Sequence, residues 1–309
     1  MLLPYVNFSF ARMSLFDRLI ASSLPFVPKP LVSYFARPYI AGETLEDQVR
    51  AVRSLNSEGF MAASGMLGEF VERREEAEAA VKDYENVLAR IGQDKLDSNI
   101  HVKPTHLGLK IDKEFCYQNI RRLATLAREH SNFVRIDMED SGSTDDTLAI
   151  FFRLREEFDN VGAVLQAYMR RSVADARRLA KVKANVRVCK GIYIEPHDVA
   201  YQDKEIVRSN FTLLLEELLG EGCYVGIATH DERLVWEGFR IVDRLGLDAS
   251  QYEFQMLLGV QTPLRRIIRD GGHRLRVAVP FGPAWYPYSL RRFRENPAIA
   301  GYVFKALFQ

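Results

Sequence analysis

Charged and amide side chains recur inside short segments otherwise rich in Val, Ile and Phe. The segment NIHVK ends in Lys103, with Thr105 and His106 beyond it. FVRIDM carries Arg135, Asp137 and Met138, followed by Glu139 and Asp140. GAVLQAY holds Gln166 and Tyr168, with Arg170 and Arg171 after it. VRVCK holds Arg187 and Lys190, and Gly191, Ile192 and Tyr193 follow. YVGIAT ends in Thr229 before His230 and Asp231, and YEFQML contributes Glu253, Gln255 and Leu257. A charge within a covered strand is costly unless it is paired. Gathered around one cavity, Arg135, Asp137, Gln166, Arg187 and Lys190 satisfy one another and a ligand. Taken singly, each reads equally well as part of a structural polar network or as a surface charge at a strand end.

Near the C-terminus, YSLRRFRENP places Arg291 and Arg292 side by side, with Glu295 close behind. Two guanidinium groups offer planar donors that match a carboxylate. Alone, the same residues make an ordinary solvated basic turn bridged by Glu295. His230 alone reads as a satisfied polar residue, and Cys189 as core. No serine or cysteine nucleophile stands in a recognisable pairing with histidine. No H-E-x-x-H and no clustered His, Cys and carboxylate ligands occur, so no metal is expected.

The elements that must position these residues follow from hydrophobic pattern. Strands are predicted over 59–64, 99–103, 133–138, 162–168, 186–190, 224–229, 252–257 and 275–280. Charged stretches with helical spacing separate them, over 70–88, 113–130, 145–158, 173–182, 199–219, 232–245 and 263–269. Strands that alternate with helices are parallel, and eight of them close a barrel. An open doubly wound sheet is the rival, but no G-x-G-x-x-G or G-x-x-x-x-G-K-[ST] follows any strand. The predicted fold is an α/β (β/α)8 barrel over 58–309, preceded by a helical arm over 1–57 and closed by a C-terminal helical region over 284–307 that covers the site. In such a barrel the chemistry sits at the C-terminal ends of the strands.

The chain has 309 residues, 47% hydrophobic and 27% charged, with a formal net charge of +1. That balance gives no whole-molecule argument for nucleic acid as a partner. Cys116, Cys189 and Cys223 are dispersed and odd in number, which fits a reducing compartment and argues against a disulfide framework. In the first thirty residues, Arg12, Asp17 and Arg18 interrupt any apolar run that could span a bilayer, and no basic start precedes an apolar stretch as a secretory signal requires. The expectation is a cytoplasmic protein whose arm packs on the domain, or lies on the inner face of the membrane. Nothing in the sequence specifies the oligomeric state.

Over about residues 55 to 300, the segments HVKPTHLGL, FVRIDMED, LQAYMRR, RVCKGIY, GIATHD, EFQMLLG and YSLRRFRENP, in this order, resemble the proline dehydrogenase family. The resemblance implies a monofunctional FAD enzyme of proline catabolism. Such an enzyme oxidises L-proline to Δ1-pyrroline-5-carboxylate by hydride transfer and passes the electrons to a membrane quinone. By motif position it places Lys103 and Asp137 beside the substrate and Arg187 near the reactive flavin nitrogen. Met138, Gln166, Lys190, Gly191, Ile192, Thr229, His230 and Gln255 fall at flavin-contacting positions, with Glu295 nearby. Tyr193 and Leu257 match the substrate pocket, and Arg291 and Arg292 match the carboxylate clamp. Ala278 departs from the family pattern, which has a tyrosine there that packs over the substrate ring. The larger pocket opens hydroxyproline, or another cyclic or N-substituted amino acid, as an alternative substrate. A milder departure is Asp231, where some members carry asparagine.

The expected mechanism has Arg291 and Arg292 aligning the substrate and Arg187 favouring negative charge on the reduced flavin. Lys103 and Asp137 are expected to pair and set the electrostatics around the amine. Two other classes compete: a barrel aldolase with Lys103 or Lys190 as Schiff-base nucleophile, and a non-catalytic flavin-binding barrel.

Overall fold

The computed structural model describes residues 29–286 and 288–290. Eight parallel strands close into a barrel in strict chain order. They are β1 (Met61–Met66), β2 (Ser98–Val102), β3 (Val134–Ile136), β4 (Val161–Gln166), β5 (Asn185–Cys189), β6 (Tyr224–Ala228), β7 (Tyr252–Leu257) and β8 (Leu275–Phe281). Before the barrel run α1 (Lys29–Ala36) and α2 (Leu45–Ser57). Around it lie α3 (Arg74–Gln93), α4 (Lys113–Glu129), α5 (Ser141–Arg155), α6 (Ser172–Lys181), α7 (Lys204–Gly220), α8 (Glu232–Arg244) and α9 (Thr262–Asp270). A 3-10 turn, Pro104–Leu107, follows β2. The (β/α)8 expectation is met, with element ends displaced by a few residues. The helix expected from residue 70 starts at Arg74, because the chain first makes an extended loop past the end of β1. Of the C-terminal helical region, only 285–286 and 288–290 are described as helix.

The strands carry two side-chain rows with opposite chemistry. One row, Ile100, Val102, Val134, Ile136, Val186, Val188, Val225, Ile227, Phe254, Val277 and Val279, is fully buried. It packs in one cluster with helix residues such as Leu88, Ile120, Leu123, Phe211 and Leu215. Each of these side chains gains roughly 1.5–3 kcal/mol from leaving water. The other row is polar, and small residues make room for it across the register. Gly65 faces His101, Gly162 faces Arg135 and Gly226 faces Arg187. A Cβ at Gly65 would fall in the His101 ring, one at Gly162 against the Arg135 guanidinium, and one at Gly226 against the Gln255 amide. Bulky polar groups therefore fill a barrel that other sequences fill with branched aliphatics.

A smaller cluster sits beside the C-terminal ends of β1 and β8. Val32, Ala36, Ile40 and Leu67 pack there with Trp285, Tyr286, Tyr288 and Leu290, so α1 meets the chain that leaves the barrel. The Ala41 N–H donates to Pro280 O (2.9 Å), which fixes this approach. Into α2 the chain enters through a capping box: Thr44 Oγ1 accepts from Asp47 N (3.2 Å), and Asp47 Oδ2 accepts from Thr44 N (3.0 Å). The T44A substitution is expected to lower unfolding free energy by about 1 kcal/mol, measured by denaturant titration. An unchanged midpoint would show that packing of α2 alone sets the start of this helix.

Candidate active site

Strand ends bring the charged row to one mouth of the barrel. The centre is Asp137, one residue past β3, where its N–H still pairs with Val102 O (2.9 Å). Its Oδ1 accepts from Arg187 Nη1 (2.6 Å) on β5. His101 Nδ1 on β2 lies 2.8 Å from its Oδ2. Arg187 Nε in turn donates to Gln255 Oε1 (2.6 Å) on β7. Burial pushes the Asp137 carboxyl up, but His101 and Arg187 outweigh it and hold it well below the usual carboxylate range. An ionised carboxylate only accepts, so His101 carries its proton on Nδ1. Asp137 thus spends both oxygens on fixing its neighbours. The His101 Nε2 atom is buried, with no hydrogen-bond partner among the described residues.

Lys103 does not pair with Asp137 as expected. Its Nζ donates to Glu69 Oε2 (2.6 Å), both side chains being about one-fifth exposed. Glu69 lies in the loop after β1, a place no strand pattern marks. His101 was also missed, although it stands two residues before Lys103 and so shares its face of β2. That period-two relation was the signal available.

Arg135 belongs to a lower layer, two residues earlier on β3. Its guanidinium bonds Ala163 O (2.9 Å), Asn185 O (2.8 Å) and the Asn185 side-chain oxygen, which satisfies the barrel interior and not the mouth. Burial pushes it down to about 9, which leaves it charged at neutral pH. Beside it, Glu253 and Arg276 pair at 2.8 Å.

The remaining residues ring the mouth. Gln166 donates to Glu139 O (2.8 Å), and Met138 and Thr229 are buried. Lys190 stands at the rim, bonded to Asp231 Oδ2 (3.2 Å), which also accepts from Arg208 Nε (2.8 Å). His230 Nε2 accepts from Leu257 N (2.8 Å), tying the ends of β6 and β7. Gly191 has φ +104, and its α-carbon lies against the Tyr168 ring with no room for a Cβ. Only glycine suits that turn. Behind it Ile192 is exposed, while burial pushes the Tyr193 phenol well above its ordinary range. Ala278 is the Cα partner of Leu257 on one side and of Ala63 on the other, so the register sets it directly beside Leu257. Burial raises the Glu139 carboxyl, opposed by hydrogen bonds from Thr105. Cys189, expected in the core, is only partly buried, although its thiol still donates to Leu165 O (3.6 Å). Arg291, Arg292 and Glu295 lie outside the described residues. Among the described residues no group of three or more His, Cys, Asp or Glu could hold a metal ion.

A family model described as proline dehydrogenase matches residues 48–304. Proline dehydrogenase 1 of Bacillus subtilis subsp. natto is 34% identical over 274 residues, covering 89% of this chain and 91% of that protein. Proline dehydrogenase of Deinococcus radiodurans is 33% identical over 279 residues, covering 89% and 90%. Among solved structures, proline utilization A from Bdellovibrio bacteriovorus, inactivated by N-propargylglycine, matches with a TM-score of 0.79 at 24% identity, over 85% of this chain and 33% of that one. At that identity the likeness is one of fold.

Proposed function

The chain belongs to the proline dehydrogenase family, and from that membership we propose that it oxidises proline, or a close relative of proline, at a bound FAD. The observation that carries this reading is the Asp137–Arg187–Gln255 chain at the C-terminal mouth. When bound, FAD supplies the two-electron acceptor for hydride from the ring carbon next to nitrogen, and a quinone is the proposed destination of the electrons. The residues present suit that group. A guanidinium held from two sides offers fixed positive charge where an electron-rich ring gains negative charge. Among the described residues His101 Nε2 has no hydrogen-bond partner, which leaves a buried polar atom below the mouth, and Lys190 at the rim brings a cation. Met138, Gln166, Ile192, Thr229, His230 and Gln255 are the further residues proposed to hold it, with Glu295.

For the substrate, Lys103, Tyr193, Leu257 and Ala278 are the proposed pocket, and Arg291 and Arg292 the proposed carboxylate clamp. Asp137 acts by anchoring Arg187 and not as a proton acceptor, since both its oxygens are engaged and it is held ionised. A Schiff-base aldolase needs a lysine desolvated or set beside another cation. Lys103 and Lys190 are instead both ion-paired, which disfavours that reading. The proposed localisation is cytoplasmic with peripheral membrane contact for quinone access. No helix among the described residues is long and apolar enough to cross a membrane.

The test is direct. Purified protein should absorb in the blue, and anaerobic addition of proline, hydroxyproline or an N-alkylglycine should bleach it. A colourless protein with no affinity for FAD ends the proposal. The A278Y variant fills the space beside Leu257. It should shift the ratio of kcat/KM for proline over hydroxyproline upward by about tenfold, the effect of filling or emptying a pocket by a small group. An unchanged ratio removes Ala278 from the specificity-determining set.

A further inference from the structure

Glu139 is a fully buried carboxylate with no lysine or arginine ion-paired to it among the described residues. Burying such a group is costly, and its contacts show what it holds. Thr105 gives it two hydrogen bonds, N–H to Oε2 (2.8 Å) and Oγ1–H to Oε1 (2.6 Å). Thr105 Oγ1, its proton given to Glu139, accepts from Phe70 N (3.0 Å), and Thr105 O accepts from Val71 N (3.2 Å). Phe70 sits at φ +53, a strained conformation for an aromatic residue. Just before it, Gly68 lies against the His106 ring with no space for a Cβ. The neighbouring residue Glu69 then meets Lys103.

We infer that Glu139 is a positioning residue: through Thr105 it seats the loop after β1, and so fixes Glu69 against Lys103 beside the substrate. The acceptor sets the direction of the hydroxyl. Thr105 has one hydroxyl proton and two lone pairs, and giving the proton to Glu139 holds the O–H turned away from Phe70 N, so that a lone pair faces that amide. The two bonds from Thr105 also tie the end of β3 to the end of β2, and the Gln166 bond to Glu139 O brings in β4. The strained turn at Phe70 is thereby held by contacts from neighbouring strand ends and not by its own sequence.

The inference rests on the proposed function only for where the loop acts. Amide hydrogen exchange on the whole chain, without substrate, tests the seating. In E139Q the amides of Phe70 and Val71 should exchange about tenfold faster, the loss of roughly one hydrogen bond. T105V should do the same, T105S should not, and E139Q/T105V should be no worse than either single variant. T105V carries the test should E139Q fold poorly. In steady-state kinetics, E139Q should raise KM about tenfold with kcat within about threefold, the signature of lost substrate binding by a loosened pocket wall and not of lost chemistry. Unchanged exchange at residues 70 and 71, a T105S variant as loose as T105V, or additive effects in the double variant would overturn the seating. Faster exchange with unaltered KM would overturn the positioning. If no proline-like substrate is oxidised, the kinetic arm falls with the functional reading, while the exchange arm still decides what Glu139 holds.

Discussion

Replacement of Arg187 with methionine is expected to lower kcat/KM by about a hundredfold to a thousandfold, the usual effect of losing one preorganised charge at a developing anion. Arg187 is 13% exposed on its side chain and bonds Asp137 and Gln255 at once, so its guanidinium has one allowed placement. Methionine keeps the stem and removes the charge. The R187K variant keeps the charge but loses the planar fork, and one ammonium cannot reproduce both bonds in the same plane. It should recover only part of the loss. With FAD bound as proposed, the flavin midpoint potential should fall in R187M, because Arg187 would no longer stabilise negative charge on the reduced ring. A second readout is pH. Asp137 is held below its usual range, so its contribution to stability is complete above the ordinary carboxylate pKa of about 4 and disappears as pH falls below it. Without Arg187 burial opposes only His101 and Lys103, so stability should fall less steeply on acidification. If R187M binds FAD fully and keeps kcat/KM within about tenfold, the electrostatic role given to Arg187 is wrong.

The barrel was legible because its outward row, apart from Ser64 and Ser98, which bond each other, is oily at alternate positions from Ile100 and Val102 round to Val277 and Val279. A period of two broken by loops of charged helix admits few other folds. The same alternation made the inward row legible as polar, and so drew attention to Asp137, Arg187 and Gln255. It could not rank depth. Arg135 and Asp137 lie two residues apart on one face, and only the register shows that the first fills the interior while the second reaches the mouth. Pairing was harder still. The resemblance sets Lys103 and Asp137 together beside the substrate and so leads one to expect their pairing, but the partner Lys103 takes, Glu69, sits in a loop whose course depends on Thr105 and Glu139. Loop contacts of this kind are set by tertiary hydrogen bonds, which leave no periodic trace in a single sequence.

The largest stability effect is expected one layer below the mouth, where Arg276 and Glu253 meet at side-chain exposures of 11% and 2%. Glu253 Oε1 accepts from Arg276 Nε (2.8 Å) and Gln255 Nε2 (2.5 Å), and Oε2 accepts from Tyr224 OH (2.9 Å). Arg276 Nη1 also donates to Ala62 O (2.8 Å) across the β8–β1 seam that closes the barrel. Removing one partner of a buried pair strands the other, so R276M should cost about 3–5 kcal/mol in denaturant unfolding at neutral pH. The double variant R276M/E253L replaces the pair with apolar groups, and should cost clearly less than R276M alone. The pH dependence separates charge from packing. In the native chain burial pushes the Glu253 carboxyl up, but Arg276 and the hydrogen bonds hold it low, so its stabilisation is present above the unfolded glutamate pKa of about 4.3 and is lost as pH falls. In R276M burial prevails and the folded pKa rises above the unfolded one. The sign then reverses: the protonated carboxyl favours the folded state, and the penalty shrinks as pH drops through that raised value. A packing defect would show no such trend. A penalty below about 1 kcal/mol, or one that is constant with pH, would show that the pair is not what holds this layer of the barrel together.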